Sequence, residues 1–136
     1  MGRVLAFDYG TKRVGMAVTD PLGLIATGLC TLQVHEVFPF LKKYVVSENV
    51  DTFVVGEPKQ ADNTPSDTAG AVEKFVARLK KEYPLISVNR IDERFTSVIA
   101  KRTMLDSGLK KKDRTDKALV DEISAVLILQ SWMENR

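Results

Sequence analysis

The order of β-type and helical stretches along the chain restricts the possible folds more than any other feature of the sequence. Three β-type stretches come first: an apolar run at residues 4–7, an alternating stretch at residues 14–18 and an extended stretch at residues 24–32. The period then becomes helical at residues 37–45, and later β-type stretches at residues 52–55 and 85–91 each follow a helical one. Successive strands form an antiparallel meander, whereas strands joined through helices pair in parallel. The sequence therefore predicts a mixed five-stranded sheet.

Signals at the helix ends complete this pattern. Thr64 is a suitable N-cap and Pro65 follows at the first helical position, while the apolar stripe of that helix ends at Tyr83. Two more helices are predicted at residues 96–108 and 115–133. The order βββαβαβαα, in a chain of 136 residues without repeats, predicts a single α/β domain over residues 1–136 with helices on both faces of the sheet.

Composition excludes several classes of protein and of site. The 20 basic and 18 acidic residues give a net charge of +2, which argues neither for nor against a polyanionic partner. A single cysteine, Cys30, cannot form an intrachain disulfide, and no apolar leader precedes the first strand, so we expect a cytoplasmic protein without a membrane segment. With His35 as the single histidine, the usual zinc sites are excluded. Any bound metal must be held by carboxylates.

Acidic residues collect where the parallel strands are predicted to end. Asp8 follows the first strand, Glu57 the fourth, and Asp92 and Glu93 the fifth. Open α/β sheets bind ligands beyond the carboxyl ends of such strands. Carboxylates without histidine or cysteine suit Mg²⁺ or Mn²⁺, and two such ions can activate a water and stabilise the leaving oxygen in a displacement at phosphorus. The pattern therefore predicts a metal-binding site for phosphate chemistry.

Structural explanations compete with this one for Asp8 and for a fifth acid, Asp121. Asp8, directly after a buried strand, either binds a cation or caps a turn. Asp92 and Glu93 alternate in direction, so one of them reaches the metal, and Glu93 is the preferred ligand. Asp121 interrupts the apolar positions of the last helix and has small neighbours one turn further on. It either approaches the sheet edge or marks the solvent side of its helix.

Basic residues near these acids form a candidate phosphate-binding surface. A backbone nest at residues 10–12 can hold a phosphate, although the same residue types occur in ordinary hairpins. Arg94 either binds a phosphate or pairs with an acid. A basic loop at residues 110–117, just before the last helix, either follows a nucleic-acid backbone or is solvated surface. The candidate phosphate-binding residues are Gly10, Thr11, Lys12, Lys59, Arg94, Lys110, Lys111, Lys112 and Arg114.

Four motifs, which together span nearly the whole chain, resemble the bacterial YqgF/RuvX family. They are Phe7-Asp8-Tyr9-Gly10-Thr11-Lys12, Val55-Gly56 with Pro58, Asp92-Glu93-Arg94, and Val120-Asp121 followed by Ser124-Ala125-Val126-Leu127-Ile128-Leu129. The resemblance implies a ribonuclease H-like three-layer fold. It also implies a nuclease in which Asp8, Glu93 and Asp121 are the catalytic residues and hold two Mg²⁺ ions. Members of the family are described as Holliday junction resolvases and as nucleases that process the 5′ end of pre-16S rRNA.

The sequence departs from this family after the fourth strand, where Glu57 replaces a usual leucine and Asn63 a common glycine. The sequence does not decide which substrate contacts that loop makes. The expected function is cleavage of a ribosomal RNA precursor, free or within a ribosomal particle. One alternative is a branched-DNA resolvase, which requires a symmetric dimer, so both a monomer and a homodimer are considered.

Two further alternatives come from other protein classes. A non-catalytic RNA-binding assembly factor would use the same basic surface and keep the acids as structural residues. The Asp-x-Gly-Thr loop at residues 8–11 also resembles the phosphate loop of sugar kinases and actin-type ATPases. Those proteins need two domains around a nucleotide, and 136 residues are too few for them.

Overall fold

A computed structural model of the protein describes residues 2–10, 12–57, 69–92 and 117–134. Its strands are β1 (Arg3–Tyr9), β2 (Arg13–Thr19), β3 (Ala26–Gln33), β4 (Val50–Glu57) and β5 (Ser87–Asp92). Its helices are a 3₁₀ turn (Val34–Glu36), α1 (Val37–Ser47), α2 (Ala69–Glu82) and α3 (Lys117–Glu134). The predicted helix at residues 96–108 and the predicted cap at Thr64 lie outside the described residues.

The five strands form one mixed sheet in the order β3-β2-β1-β4-β5. The β1–β2 and β2–β3 pairs are antiparallel, whereas β1–β4 and β4–β5 are parallel. The predicted meander and parallel crossovers are therefore confirmed. Because β1, β3, β4 and β5 run in the same direction, their last residues lie at one edge, which we call the carboxyl edge: Tyr9, Gln33, Glu57 and Asp92.

The central strand β1 is buried on both faces, and its alternation separates two cores. Leu5 and Phe7 belong to the cluster that contains buried residues of α1 and α2, and the Phe7 ring lies 5.2 Å from that of Phe75 in α2. Val4 and Ala6 belong to the second cluster, which α3 covers. The prediction of helices on both faces is confirmed. In the described chain, no helix is both long and apolar enough to cross a membrane.

The two faces of the sheet differ in the size of their side chains. The α1/α2 face carries large residues, such as Phe7 and Phe53. On the α3 face, Ala6 and Ala17 are directly paired across β1 and β2, and both are fully buried in one cluster with Ala125 of α3. Because short side chains separate the two elements, α3 can pack close to the central strands.

The turn between β2 and β3 is built on Asp20. Its carboxylate accepts the backbone N–H groups of Leu22 (3.3 Å), Leu24 (2.7 Å) and Ile25 (2.8 Å). These hydrogen bonds hold residues 20–25 in a turn, so β3 begins at Ala26 rather than at the predicted residue 24. An aspartate side chain that bonds to the following amides is a common way to fix such a turn.

Candidate active site

Asp8 lies near the end of β1 on the face that α3 covers. It follows Val4 and Ala6 at alternate positions, and alternate residues of a strand share a face. Its partner across the antiparallel β1–β2 pair is Gly15, which contributes no side chain on that face. The Asp8 side chain is half-buried. Asp8 is therefore the point at which the small, apolar α3 face becomes acidic, close to the carboxyl edge.

Asp121 belongs to the first part of α3, and the structure describes its backbone. It precedes Ala125 by four residues, and residues four apart lie on one face of a helix. Ala125 is fully buried against the sheet in the cluster that contains Ala6. The helix position of Asp121 is thus on the sheet-facing side of α3.

The ends of β4 and β5 lie side by side at the carboxyl edge. Gly56 pairs with Ile91, and Glu57 pairs with Asp92. Ile91 packs against the α3-face cluster, so the last part of β5 contributes to the same face as Asp8. The sequence prediction that β1, β4 and β5 bring their acidic ends to one edge is confirmed at the level of the strands.

Several predicted site residues lie outside the described part of the chain. These are Thr11, Lys59, Glu93, Arg94, Lys110, Lys111, Lys112 and Arg114, together with Asn63 of the divergent loop. Among the described residues, no group of three histidine, cysteine, aspartate or glutamate side chains could hold a metal ion. The donor chemistry of the described part nevertheless fits a hard cation, because Asp8 offers carboxylate oxygens in a half-buried position beside Gly15.

The β1–β2 hairpin is closed by Gly10. Its N–H donates to the carbonyl oxygen of Arg13 at 2.9 Å, so this amide is engaged within the hairpin rather than available to a phosphate. A Cβ at position 10 would lie only 2.8 Å from the same oxygen. Space therefore requires glycine here, and the role of Gly10 in the described structure is to close the turn. Lys12, two residues later, is exposed to solvent.

Two groups in the sheet have perturbed acidity. Burial raises the pKa of Tyr9, whose ring belongs to the α1/α2 core, so its hydroxyl stays protonated at neutral pH. Burial, and then the charge of Glu122, raise the pKa of Cys30 on β3 to about 11. Neither group is poised to act as a base or a nucleophile at neutral pH.

Strand pairing adds residues that the sequence patterns did not predict. Gln33 at the end of β3 pairs with Arg13 at the start of β2, and His35 follows directly in the 3₁₀ turn. Both lie beside Lys12 at the carboxyl edge, where they line a common groove. No local motif marks them, because their place depends on the register between two strands.

A family model described as "RuvX: Holliday junction resolvase" matches residues 2–135, almost the entire chain. The chain belongs to the RuvX family. The resemblance seen in the sequence motifs is thus confirmed. Curated relatives of this RuvX chain, each named "Putative pre-16S rRNA nuclease", support the same assignment at full length. The protein of Bacteroides thetaiotaomicron is 53% identical over 136 residues, covering 100% of this chain and 99% of the relative.

Two other relatives agree. The protein of Christiangramia forsetii is 53% identical over 133 residues, which are 98% of each chain. The protein of Parabacteroides distasonis is 54% identical over 136 residues, with 100% of this chain and 97% of the relative covered. In each case the alignment covers nearly the whole of both chains.

The structure of T. thermophilus RuvC in complex with a Holliday junction substrate superimposes on the RuvX chain with a TM-score of 0.57. The two proteins share 15% sequence identity, and the match covers 98% of this chain and 96% of RuvC. At this identity the likeness concerns the fold. It confirms the predicted ribonuclease H-like α/β architecture.

Proposed function

We propose that this RuvX-family protein is a metal-dependent endonuclease that processes the 5′ end of a pre-16S ribosomal RNA. The observation that carries the proposal is the position of Asp8, a half-buried acid near the end of β1 on the face covered by α3. The names of the full-length relatives support an RNA precursor as the substrate. The family description supports a nuclease.

The proposed catalytic residues are Asp8, Glu93 and Asp121. Asp8 and the helix position of Asp121 belong to two elements that pack together through Ala6 and Ala125. Glu93 lies outside the described residues and directly follows β5, whose Ile91 packs on the α3 face. The choice of Glu93 rather than Asp92 as the third acid rests on the sequence.

The three carboxylates supply the oxygen ligands that Mg²⁺ or Mn²⁺ prefers. Two such ions, when bound, activate a water and stabilise the leaving oxygen of the phosphodiester. Asp8 belongs to β1, which pairs with a strand on each side, so the backbone that carries its carboxylate is fixed in position. The half-buried position of Asp8 limits the access of water to this carboxylate. The chain's own contribution is thus a rigid, partly dry acidic edge.

Basic residues around this edge are proposed to neutralise the phosphates on either side of the cut. Lys12 is exposed and lies in the hairpin turn that follows β1. The other proposed contacts, from Lys59, Arg94, Lys110, Lys111, Lys112 and Arg114, rest on the sequence. A ribosomal precursor and the free thiol of Cys30 both fit a cytoplasmic protein.

A branched-DNA resolvase is the second candidate, since the family description names this activity. It would use the same acids and differ in the shape of its substrate. A resolvase cuts two strands symmetrically and therefore needs a homodimer, whereas a precursor nuclease can act as a monomer or within a ribosomal particle.

One experiment separates these candidates. A labelled pre-16S leader RNA and a four-way DNA junction are incubated with the protein in Mg²⁺, Mn²⁺ or chelator. Asp8→Asn is compared with Asp51→Asn, a matched control at the exposed start of β4, away from the carboxyl edge. We expect RNA cutting that requires metal. We expect Asp8→Asn to cut the RNA more than about 100-fold more slowly than wild type, because mutation of even the outer-shell partners of metal ligands costs about 10–100-fold in activity.

The outcomes discriminate clearly. Cutting of the junction alone would favour the resolvase, and binding of RNA without cutting would favour an assembly factor. Equal cutting by wild type and Asp8→Asn would contradict the proposed site.

A further inference from the structure

A groove of about 610 Å³ opens at the carboxyl edge beside the β1–β2 hairpin. The described residues that line it are Lys12, Arg13, Gln33, Val34 and His35. Main-chain contacts hold its two walls together, because Arg13 pairs with Gln33 and the Val34 N–H donates to the Lys12 carbonyl oxygen at 3.3 Å. The shape of the groove is therefore set by the backbone.

The side chains of this groove are donors and cations. Lys12 and His35 are exposed and Arg13 is half-buried. None of the described lining residues is acidic. The nearest carboxylate on the adjoining 3₁₀ turn, that of Glu36, accepts the Gln33 N–H at 3.0 Å. Ammonium, guanidinium and imidazole N–H groups in one concave site are well suited to phosphate oxygens.

The groove lies next to the proposed catalytic acids without containing them. In the sheet, β2 separates β3 from β1, so the end of β3 is roughly 10 Å from the end of β1 at the usual strand spacing. Both strands end at the carboxyl edge. A polynucleotide strand lying across this edge from Asp8 towards β3 passes over the groove.

We propose that this groove binds backbone phosphates of the strand that the protein cuts, on the β3 side of the scissile bond. Lys12 and Arg13 supply the charge, and Gln33 and His35 supply hydrogen-bond donors. The inference rests on the proposed nuclease function. It adds a binding site that holds the strand in register while the acids act on it.

Salt dependence of RNA binding tests the groove directly. A labelled single-stranded leader RNA is titrated in chelator, which stops metal-dependent cutting, over a series of salt concentrations. Lys12→Gln/Arg13→Gln is compared with Lys80→Gln/Lys81→Gln, two exposed lysines at the far end of α2. Each phosphate contact to a single strand contributes about 0.7 to the magnitude of the slope of log K against log salt. The slope of the double groove variant should therefore be smaller than that of wild type by about 1.4.

This slope has a measurable consequence. Between about 50 and 200 mM salt, wild type should lose about sevenfold more affinity than the groove variant, and the α2 control should follow wild type. Lys12→Gln alone removes an exposed side chain and should lower the slope by about 0.7, which keeps the test valid if the Arg13 substitution disturbs folding. His35→Gln should weaken binding about 2- to 10-fold, as expected for one hydrogen bond.

The groove and the nuclease function fail in different ways. Equal slopes for wild type, Lys12→Gln and the double groove variant would overturn the groove, whatever the cutting assay shows. A reduced slope in the groove variants, without metal-dependent cutting by wild type, would support the groove and refute the nuclease.

Discussion

Gly10→Ala is expected to destabilise the protein because the β1–β2 turn has no room for a methyl group. The new Cβ would lie 2.8 Å from the Arg13 carbonyl oxygen, and ordinary contact begins at 3.4 Å, so the turn must open by about 0.6 Å. Weakening the 2.9 Å hydrogen bond from the Gly10 N–H to this oxygen costs about 0.5–1.5 kcal/mol, and the crowding costs about 1–3 kcal/mol. The lower chain entropy of unfolded alanine offsets about 0.4–1 kcal/mol. The expected loss is about 2 kcal/mol.

The same opening of the turn should also move residues at the carboxyl edge. Gly10 stands between Asp8 and Lys12, so a turn that opens moves both of them relative to α3. A misplacement of about 1 Å can cost about 100-fold in rate, and a smaller shift is expected to cost on the order of tenfold. The rate of RNA cutting at saturating metal measures this effect.

Gly28→Ala is the matched control. Its Cβ would meet the Glu122 carboxylate oxygen at 3.2 Å, the end of a flexible side chain that can move aside. Its stability should stay within about 0.5 kcal/mol of wild type. Urea unfolding of both variants, monitored by circular dichroism, gives the comparison. The reasoning is refuted if Gly10→Ala unfolds at the wild-type urea midpoint and cuts RNA at the wild-type rate.

Three other substitutions test the remaining structure. Thr19→Val should cost about 1–3 kcal/mol in urea unfolding, because the buried Thr19 hydroxyl oxygen accepts the Val4 N–H at 2.9 Å and valine leaves that N–H unpaired, whereas Thr19→Ser should keep most of the stability. Three turn amides lower the pKa of Asp20, so its stabilising effect is present at neutral pH and is lost as pH falls through this depressed value. The unfolding temperature of Asp20→Ala should consequently depend less on pH than that of wild type between about pH 5 and pH 2. The same pH dependence in both proteins over this range would contradict this prediction. Cys30, with its pKa raised to about 11, should react with Ellman's reagent at pH 8 about 100-fold more slowly than a thiol of pKa 9.0, and Glu122→Gln should speed the reaction.

The fold could be predicted from the sequence because its determinants are local. Alternation in β1 sends Leu5 and Phe7 to one face and Val4 and Ala6 to the other, and the chain needs a helical layer on each face to bury them. After β3 the period of the apolar residues becomes helical, which indicates helical crossovers between parallel strands. These crossovers determine the parallel half of the sheet. These features require no knowledge of distant contacts.

Strand boundaries were less predictable because distant partners set them. The sequence indicates a fourth strand at residues 52–55, whereas β4 spans Val50–Glu57. Polar residues at its ends do not look like strand residues, yet Asp51 accepts the Gly2 N–H at 2.8 Å and Glu57 pairs with Asp92. Pairing with neighbouring strands overrides the weak β preference of acidic residues.

The same contrast separates the two parts of the candidate site. The acidic ends of the strands follow from the general rule for parallel sheets, so Asp8 could be singled out from sequence. The groove could not, since it depends on the pairing of Arg13 with Gln33 and on the turn that carries His35. Surfaces assembled from the register between two strands are invisible to local patterns.

The two faces of the sheet differ in the size of their side chains, and this difference accounts for the location of Asp8 on the α3 face. A site built from a strand and a helix requires a fixed separation between them, and large flexible side chains would leave that separation variable. Here Ala6 and Ala17 of the sheet pack with Ala125 of α3, and Asp8 follows two residues after Ala6 on the same face. The bulky side chains that fill the core lie on the opposite face. The small-residue contact under α3 thus fixes the separation between β1, which carries Asp8, and the helix that carries position 121.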